Sequence, residues 1–373
     1  QLIRSNKEEI KNIYDNYVIL KNLHYSKKSI EILNKKIDMK EKVLVAMSGG
    51  VDSSVTLLKI IEMGYEAIGV TMKLWEYGDM GGNNLQDNNC CAVSSINKAK
   101  LVCDRLNVPH YTIDFTKNFK KKVVDNFVNE YLDGRTPNPC VRCNSFVKWD
   151  QFIEQANILG AEYIATGHYA IIDNNMIKKG VDPNKDQSYV LWGIPKKTLS
   201  KTLLPLGDLT KEEVRDIARK NNLETADEPE SMEICFIADN NYKRFINEYA
   251  SEKVEKINNG KTLNEDGEKI GNNDGYINYT IGQRKGIGVT NPKPLYVKNI
   301  DSKNNTITVG EKKSLLNTTC YVSNINWLID QPDFPLKAQC KIRYNGTGDD
   351  AIIKYDNKNQ MIVNFKRPQL AIT

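Results

Sequence analysis

The sequence contains no uninterrupted apolar run long enough to cross a membrane and no secretory signal at its start. The first absence removes membranes as a partner and, with 27% charged residues, implies a soluble chain. The second matters for its eight cysteines: without secretion, thiol or metal chemistry is expected rather than a disulfide framework. No internal repeat stands out. Charge is short of a strong excess of either sign: a net +5 permits a nucleic-acid partner without demanding one. The chain also lacks an initiating Met, since Gln1 stands first. A targeting segment can therefore have been removed. The expected location is the cytoplasm or, in that case, an organellar matrix, plastid-like or mitochondrial.

No lysine lies between Lys42 and Lys59, although a glycine-rich turn does. The run Val43–Ala46 reads as a buried strand, stops at Ser48-Gly49-Gly50, and gives way to a helical pattern near Ser53. Glycines let backbone N–H groups converge, Ser48, Ser53 and Ser54 add hydroxyls, and the helix dipole adds partial positive charge. That is a phosphate cradle. A Walker A loop would need a lysine before its Ser/Thr, so this is a different one. Ser-Gly-Gly-Val-Asp-Ser resembles the PP-loop of the N-type ATP pyrophosphatases, which split ATP between its α and β phosphates. The resemblance implies ATP as cofactor, with Asp52 able to hold Mg²⁺ on the departing pyrophosphate.

Beyond this loop, short apolar runs alternate with helical stretches: Val43–Ala46, Val55–Met63, Ala67–Trp75, Ser94–Leu106 and His110–Phe115. The pattern predicts an α/β fold with a parallel sheet covered by helices on both faces. Ligands then sit beyond the carboxyl ends of the strands, beside Met72. Further helices are expected over Asn118–Leu132 and Phe146–Leu159, a strand over Tyr163–Thr166, a strand-like run up to Trp192, and a capping box at Thr210–Glu213. Two prolines around Asn138 predict that Asp133–Asn144 is a loop. Cys235 is placed near an apolar strand. After Tyr249 the composition changes to short strands with Gly, Asn and Asp turns, including Gly275–Tyr279 and Gln339–Tyr344, which predicts one or two small β domains. Residues 1–42 read as a surface helical extension.

Only one Cys-x-x-Cys pair exists, Cys140 and Cys143, since Cys90 and Cys91 are adjacent. A structural zinc site, which commonly takes two such pairs, is disfavoured. Two readings remain open. One is a persulfide pair resolved by disulfide exchange; the other is an iron–sulfur cluster on Cys140, Cys143 and Cys235.

Seven motifs then align with one family in its own order. They are Met47–Ser54, Thr136–Asn144, Ala165–Ala170, Lys185–Tyr189, Ile234–Ile237, Tyr279–Gly286 and Arg367–Ala371. From about Val43 to Thr373 the chain closely resembles the tRNA-specific 2-thiouridylases. The resemblance implies ATP-dependent replacement, by sulfur, of the C2 oxygen of the wobble uridine in an anticodon stem-loop. It also implies a Rossmann-like PP-loop domain over 43–248, a central β-rich domain over 249–312 and a C-terminal β-barrel over 313–373.

Residue by residue, the resemblance implies ATP contacts from Ala46, Met47, Ser48, Gly49, Gly50, Val51, Asp52, Ser53, Met72 and Gly167. Asn138, Pro139 and Cys140 would surround a flipped uracil. Cys235 would carry the persulfide and Cys143 would attack it, a disulfide forming between them. His168, Lys185, Asp186, Gln187, Arg343, Tyr344 and Gln369 would touch tRNA. A monomer, supplied by a sulfur relay such as a cysteine desulfurase system, is expected. Two departures stand out. The family varies between Asp and Cys at position 140, and Cys140 keeps a [4Fe–4S] cluster open. Before Tyr279, where the family carries a His, this chain has Gly271-Asn272-Asn273-Asp274-Gly275. Other PP-loop ligases, such as a lysidine synthase, and a non-catalytic ATP-dependent RNA-binding protein are the alternatives.

Overall fold

Strand β1 (Lys42–Ala46) is the centre of the fold because it is buried on both sides. Val43, Leu44 and Val45 are wholly enclosed, and alternation sends Leu44 into one core cluster and its two neighbours into another. Each such side chain contributes about 1.5–3 kcal/mol by leaving water. The computed structural model of the chain describes residues 40–75, 93–229, 234–237, 239–356 and 360–373. The N-terminal extension up to residue 39, Cys90 and Cys91 lie outside the described residues.

From β1 the chain runs through α1 (Val51–Glu62), β2 (Glu66–Lys73), α2 (Val93–Arg105) and β3 (His110–Asp114). A helical stretch from Thr116, widened to a π-turn at Lys120–Val124, leads into α3 (Asp125–Leu132). Then come α4 (Pro139–Cys143), α5 (Gln151–Ile158), β4 (Tyr163–Ala165), β5 (Ala170–Asp173), β6 (Met176–Lys179), β7 (Thr202–Leu203), α6 (Lys211–Lys220) and α7 (Tyr242–Tyr249). The main sheet is parallel in the order β3-β2-β1-β4-β7. Helices α1, α2 and α6 cover one face through Val55, Ala99, Val102 and Val214. Phe127 of α3, Phe152 of α5 and Phe245 of α7 cover the other. Strand order reverses between β1 and β4, which opens a crevice beyond their carboxyl ends.

A second sheet follows, β8 (Gly260–Leu263), β9 (Lys269–Asn273), β10 (Tyr296–Asp301) and β11 (Thr306–Gly310), in the order β10-β11-β8-β9. The last comprises β12 (Leu316–Val322), β13 (Leu336–Cys340), β14 (Asp349–Tyr355) and β15 (Met361–Leu370), antiparallel in the order β12-β15-β14-β13 around Ile353, Val363 and Phe365.

Several local expectations change. Pro139–Cys143 is a helical turn rather than loop, because proline suits the first helical position and Asn138 caps it, accepting from the N–H of Val141 at 3.2 Å. Ser188–Leu191 and Tyr276–Asn278 form 3-10 turns where strands were expected. Gly275, at φ +96°, breaks extension before the latter. Around Cys235 a turn closes by Ile237 N–H donating to Ile234 C=O, in place of a strand. Strand β13 ends at Cys340, short of Tyr344.

Candidate active site

At the carboxyl end of β1 the chain turns through Met47–Gly50 into α1. Gly49 has φ +77°, and a β-carbon there would come 2.3 Å from the Ser95 carbonyl oxygen, so only glycine fits. Ser53 Oγ accepts from the Ser48 N–H at 3.2 Å and donates to Gly50 C=O at 2.9 Å, which fixes the loop. No side chain caps the start of α1 at Gly50. Its first-turn N–H groups are therefore open to an anion. Met47, Val51 and Ser53 are buried, Ala46 and Gly50 half-buried, and Ser48 exposed.

Asp52 is the charged member of this loop, with its side chain 34% exposed. Its Oδ1 accepts from Lys211 Nζ and from Tyr169 OH, each at 2.7 Å. Neither partner was assigned a role from sequence. Lys211 is the first residue of α6, inside the Thr210–Glu213 capping box that the sequence did predict. A cation in the first turn opposes the helix dipole, and that mismatch was the available signal. Gly167 follows β4, and a β-carbon on it would lie 3.0 Å from Asp52. Met72, at the end of β2, is half-buried against the core.

The chain runs from α4, which carries Cys140 and Cys143, to Trp149, which lies against His168. Helix α4 continues into a π-turn over Asn144–Lys148, and the Trp149 ring then lies 5.4 Å from that of His168, its Nε1–H donating to Thr202 Oγ1 at 2.9 Å. His168 is buried, its Nδ1 2.8 Å from Thr166 Oγ1, and burial holds its pKa well below the ordinary value. Cys143 is buried in the core cluster against which Cys235 packs. Cys140 is solvent-exposed, yet desolvation by surrounding protein raises its thiol above the ordinary value, partly opposed by Lys148. Among the described residues no three His, Cys, Asp or Glu side chains group closely enough to hold a metal.

The residues expected to touch RNA divide by location. Asn138 and Pro139 open α4, Asn138 exposed and Pro139 buried. Lys185 is half-buried. Asp186 accepts from Gly180 N–H, Ser188 N–H and Ser188 Oγ at 3.0–3.1 Å, while Gln187 Oε1 accepts from Tyr169 N–H at 3.0 Å. Arg343 donates to Ile281 C=O and Ala371 C=O at 3.1 and 2.9 Å. Exposed Tyr344 meets Tyr189 edge-on at 6.0 Å, with Lys341 over both rings, and Gln369 Nε2 donates to Asp349 at 2.9 Å.

A parallel sheet whose switch-point crevice is flanked by a Ser-Gly-Gly loop defines an α/β protein of the HUP class. The chain matches the family model described as tRNA methyl transferase HUP domain over residues 41–239. The tRNA methyl transferase PRC-barrel domain matches over 243–311, and the Aminomethyltransferase beta-barrel domain over 317–373. It is 44% identical to the tRNA-specific 2-thiouridylase MnmA of Carboxydothermus hydrogenoformans, over 90% of this chain and 92% of that one. It is 43% identical to the MnmA of Salinibacter ruber, over 90% and 89%. The chain belongs to the tRNA-specific 2-thiouridylase family.

Proposed function

We propose that this protein is an ATP-dependent tRNA-uridine 2-sulfurtransferase acting on the wobble uridine. Segment Thr166–Tyr169 carries the reading. Gly167 abuts Asp52 of the phosphate loop while His168 packs against Trp149, to which the chain leads from the helix of Cys140 and Cys143 through one π-turn. The family-model descriptions speak of methyl transfer and the relatives of thiolation. The pair Cys140 and Cys143 and the 44% identity to a relative named for thiolation favour the second.

In the proposed reaction the uracil leaves the stack and enters beside Asn138, Pro139 and Cys140. Its C2 oxygen attacks the α-phosphorus of ATP, pyrophosphate departs, and the oxygen becomes part of an AMP leaving group. The first turn of α1, Ser48, Ser53 and Lys211 bind the phosphates. Asp52 accepts the Lys211 and Tyr169 hydrogen bonds on Oδ1, and its carboxylate would hold Mg²⁺ on the phosphates. That ion, when bound, neutralises charge on the leaving pyrophosphate. The terminal sulfur of a Cys235 persulfide attacks C2 and AMP leaves. Cys143 thiolate then attacks Cys235 Sγ, breaking the sulfur–sulfur bond and forming a Cys143–Cys235 disulfide, which a dithiol reductant reopens. A monomer supplied by a sulfur-relay protein suffices for these steps. Lys185, Arg343 and Tyr344 hold the anticodon stem-loop.

The test supplies unmodified tRNA, ATP and, as the source of sulfane sulfur, a cysteine desulfurase with free cysteine to wild type, Cys143→Ser and Cys235→Ser, and reads 2-thiouridine by mass spectrometry and ATP by equilibrium binding. Loss of thiolation in both variants with ATP binding retained is expected. Robust thiolation by either would overturn the persulfide route.

A further inference from the structure

Tyr169 belongs to two structures at once. Its hydroxyl donates to Asp52 Oδ1 at 2.7 Å, on the phosphate loop. Its backbone is paired with Gln187: Tyr169 N–H donates to Gln187 Oε1 at 3.0 Å, and Gln187 N–H donates to Tyr169 C=O at 2.8 Å. The loop carrying Gln187 is braced internally. Lys185 N–H donates to Asp182 C=O at 3.1 Å, and Asp186 ties Gly180 to Ser188. The same loop returns to the phosphate site by a second route, since Asp182 Oδ2 accepts from Lys211 N–H at 3.1 Å and Lys211 Nζ reaches Asp52 Oδ1 at 2.7 Å. With the loop backbone from Asp182 to Gln187 as one leg, the circuit from Asp52 through Tyr169, Gln187, Asp182 and Lys211 back to Asp52 is closed.

The contacts within this circuit are part-buried, and the one between Asp182 and Lys211 is buried. Tyr169 is 2% exposed, and Lys211 Nζ also lies 5.7 Å from its ring centroid. Gly180, the residue after β6, permits close approach, because a β-carbon there would lie 2.8 Å from the Tyr169 carbonyl oxygen. Packed interiors do not absorb displacement by simple compression, so a shift of loop 180–188 reaches Asp52 through two hydrogen-bonded arms. We infer that Tyr169 is a positioning residue that couples tRNA on the 185–188 loop to ATP at Asp52, each ligand tightening the other. This rests on the assignment of tRNA and ATP to the two sites. It adds an order to the reaction: the adenylating loop is set when RNA is present, which limits futile cleavage of ATP.

The test is a linkage measurement with full-length protein. The dissociation constant of a non-hydrolysable ATP analogue is determined with and without saturating unmodified tRNA. In wild type, tRNA is expected to tighten the analogue about 5–150-fold. Tyr169→Phe keeps the ring and removes only the hydroxyl. Each ligand alone should bind within about threefold of wild type, while the linkage falls close to one. Gly180→Ala, which disturbs Tyr169 without touching either ligand, should lower the linkage too, and it carries the test if Tyr169→Phe folds poorly. Wild-type linkage in both variants, or binding of both ligands to wild type without linkage, overturns the inference. Failure of wild type to bind either ligand overturns the functional reading beneath it.

Discussion

Lys211 Nζ lies 2.7 Å from Asp52 Oδ1, although the residues are 159 positions apart. The pair is mostly enclosed on the lysine side and about one-third open on the aspartate side. Its stability contribution is therefore modest, and its value lies in directing a cation at the phosphate loop. Lys211→Met should reduce tRNA-dependent pyrophosphate release about 10²–10³-fold, the usual loss for one preorganised charge-stabilising donor. Stability should fall by only about 1–3 kcal/mol. A release rate within threefold of wild type would remove Lys211 from the adenylation step.

Gly49→Ala tests the loop geometry. Its positive φ alone costs a side chain about 1–2 kcal/mol, and the approach to Ser95 adds a clash with backbone. Urea denaturation should show at least about that loss, and ATP should bind at least about tenfold more weakly as the converging N–H groups separate. Unchanged ATP affinity would place the nucleotide elsewhere.

Cys140 should alkylate late in a pH titration. Desolvation favours the neutral thiol, so the thiolate forms above the ordinary range, while Lys148 pulls the other way. Iodoacetamide labelling followed by peptide mass spectrometry should give a midpoint above that of an ordinary cysteine thiol. Lys148→Gln should move it higher still. A midpoint below the ordinary thiol value would contradict the desolvated setting.

Acid should weaken the fold through His168. Folding lowers its pKa, so below about pH 6.5 the unfolded chain takes up a proton that the folded protein refuses. The stabilisation is present in full above that pH and declines as pH falls. His110 is shifted in the same direction and contributes alongside. Thermal unfolding between pH 7.5 and 5.5 should therefore be less pH-dependent in His168→Gln than in wild type, to the extent of roughly one histidine's share. An unchanged dependence would show that His168 is already solvated.

Local signals made the phosphate loop legible. Strand, turn and helix start are encoded by adjacent residues, so Val43–Ala46, Gly49 and Ser53 could be read together. The capping box at Thr210 was legible for the same reason. Where a local rule has two outcomes, the reading erred: proline breaks a helix inside but begins one at its first position, which turned the Pro139 loop into α4. Near Cys235 and at Tyr276–Asn278, apolar content suggested strands, but these residues fill the core from turns rather than from a ladder.

By itself the sequence determined the alternation of elements, the anion-binding turn and the family, because each depends on residues close in the chain or on ordered motifs. Only the tertiary structure decided which distant groups meet. Nothing in the spacing of Asp52, Tyr169, Gln187 and Lys211 announces a common network. They converge because the parallel order β3-β2-β1-β4-β7 brings the ends of β1 and β4 to one crevice and packs α6 beside α1. Likewise Cys143 and Cys235 share a core because α3, α5 and α7 cover the same face of the sheet. Contacts across such separations are set by packing, which no local pattern records.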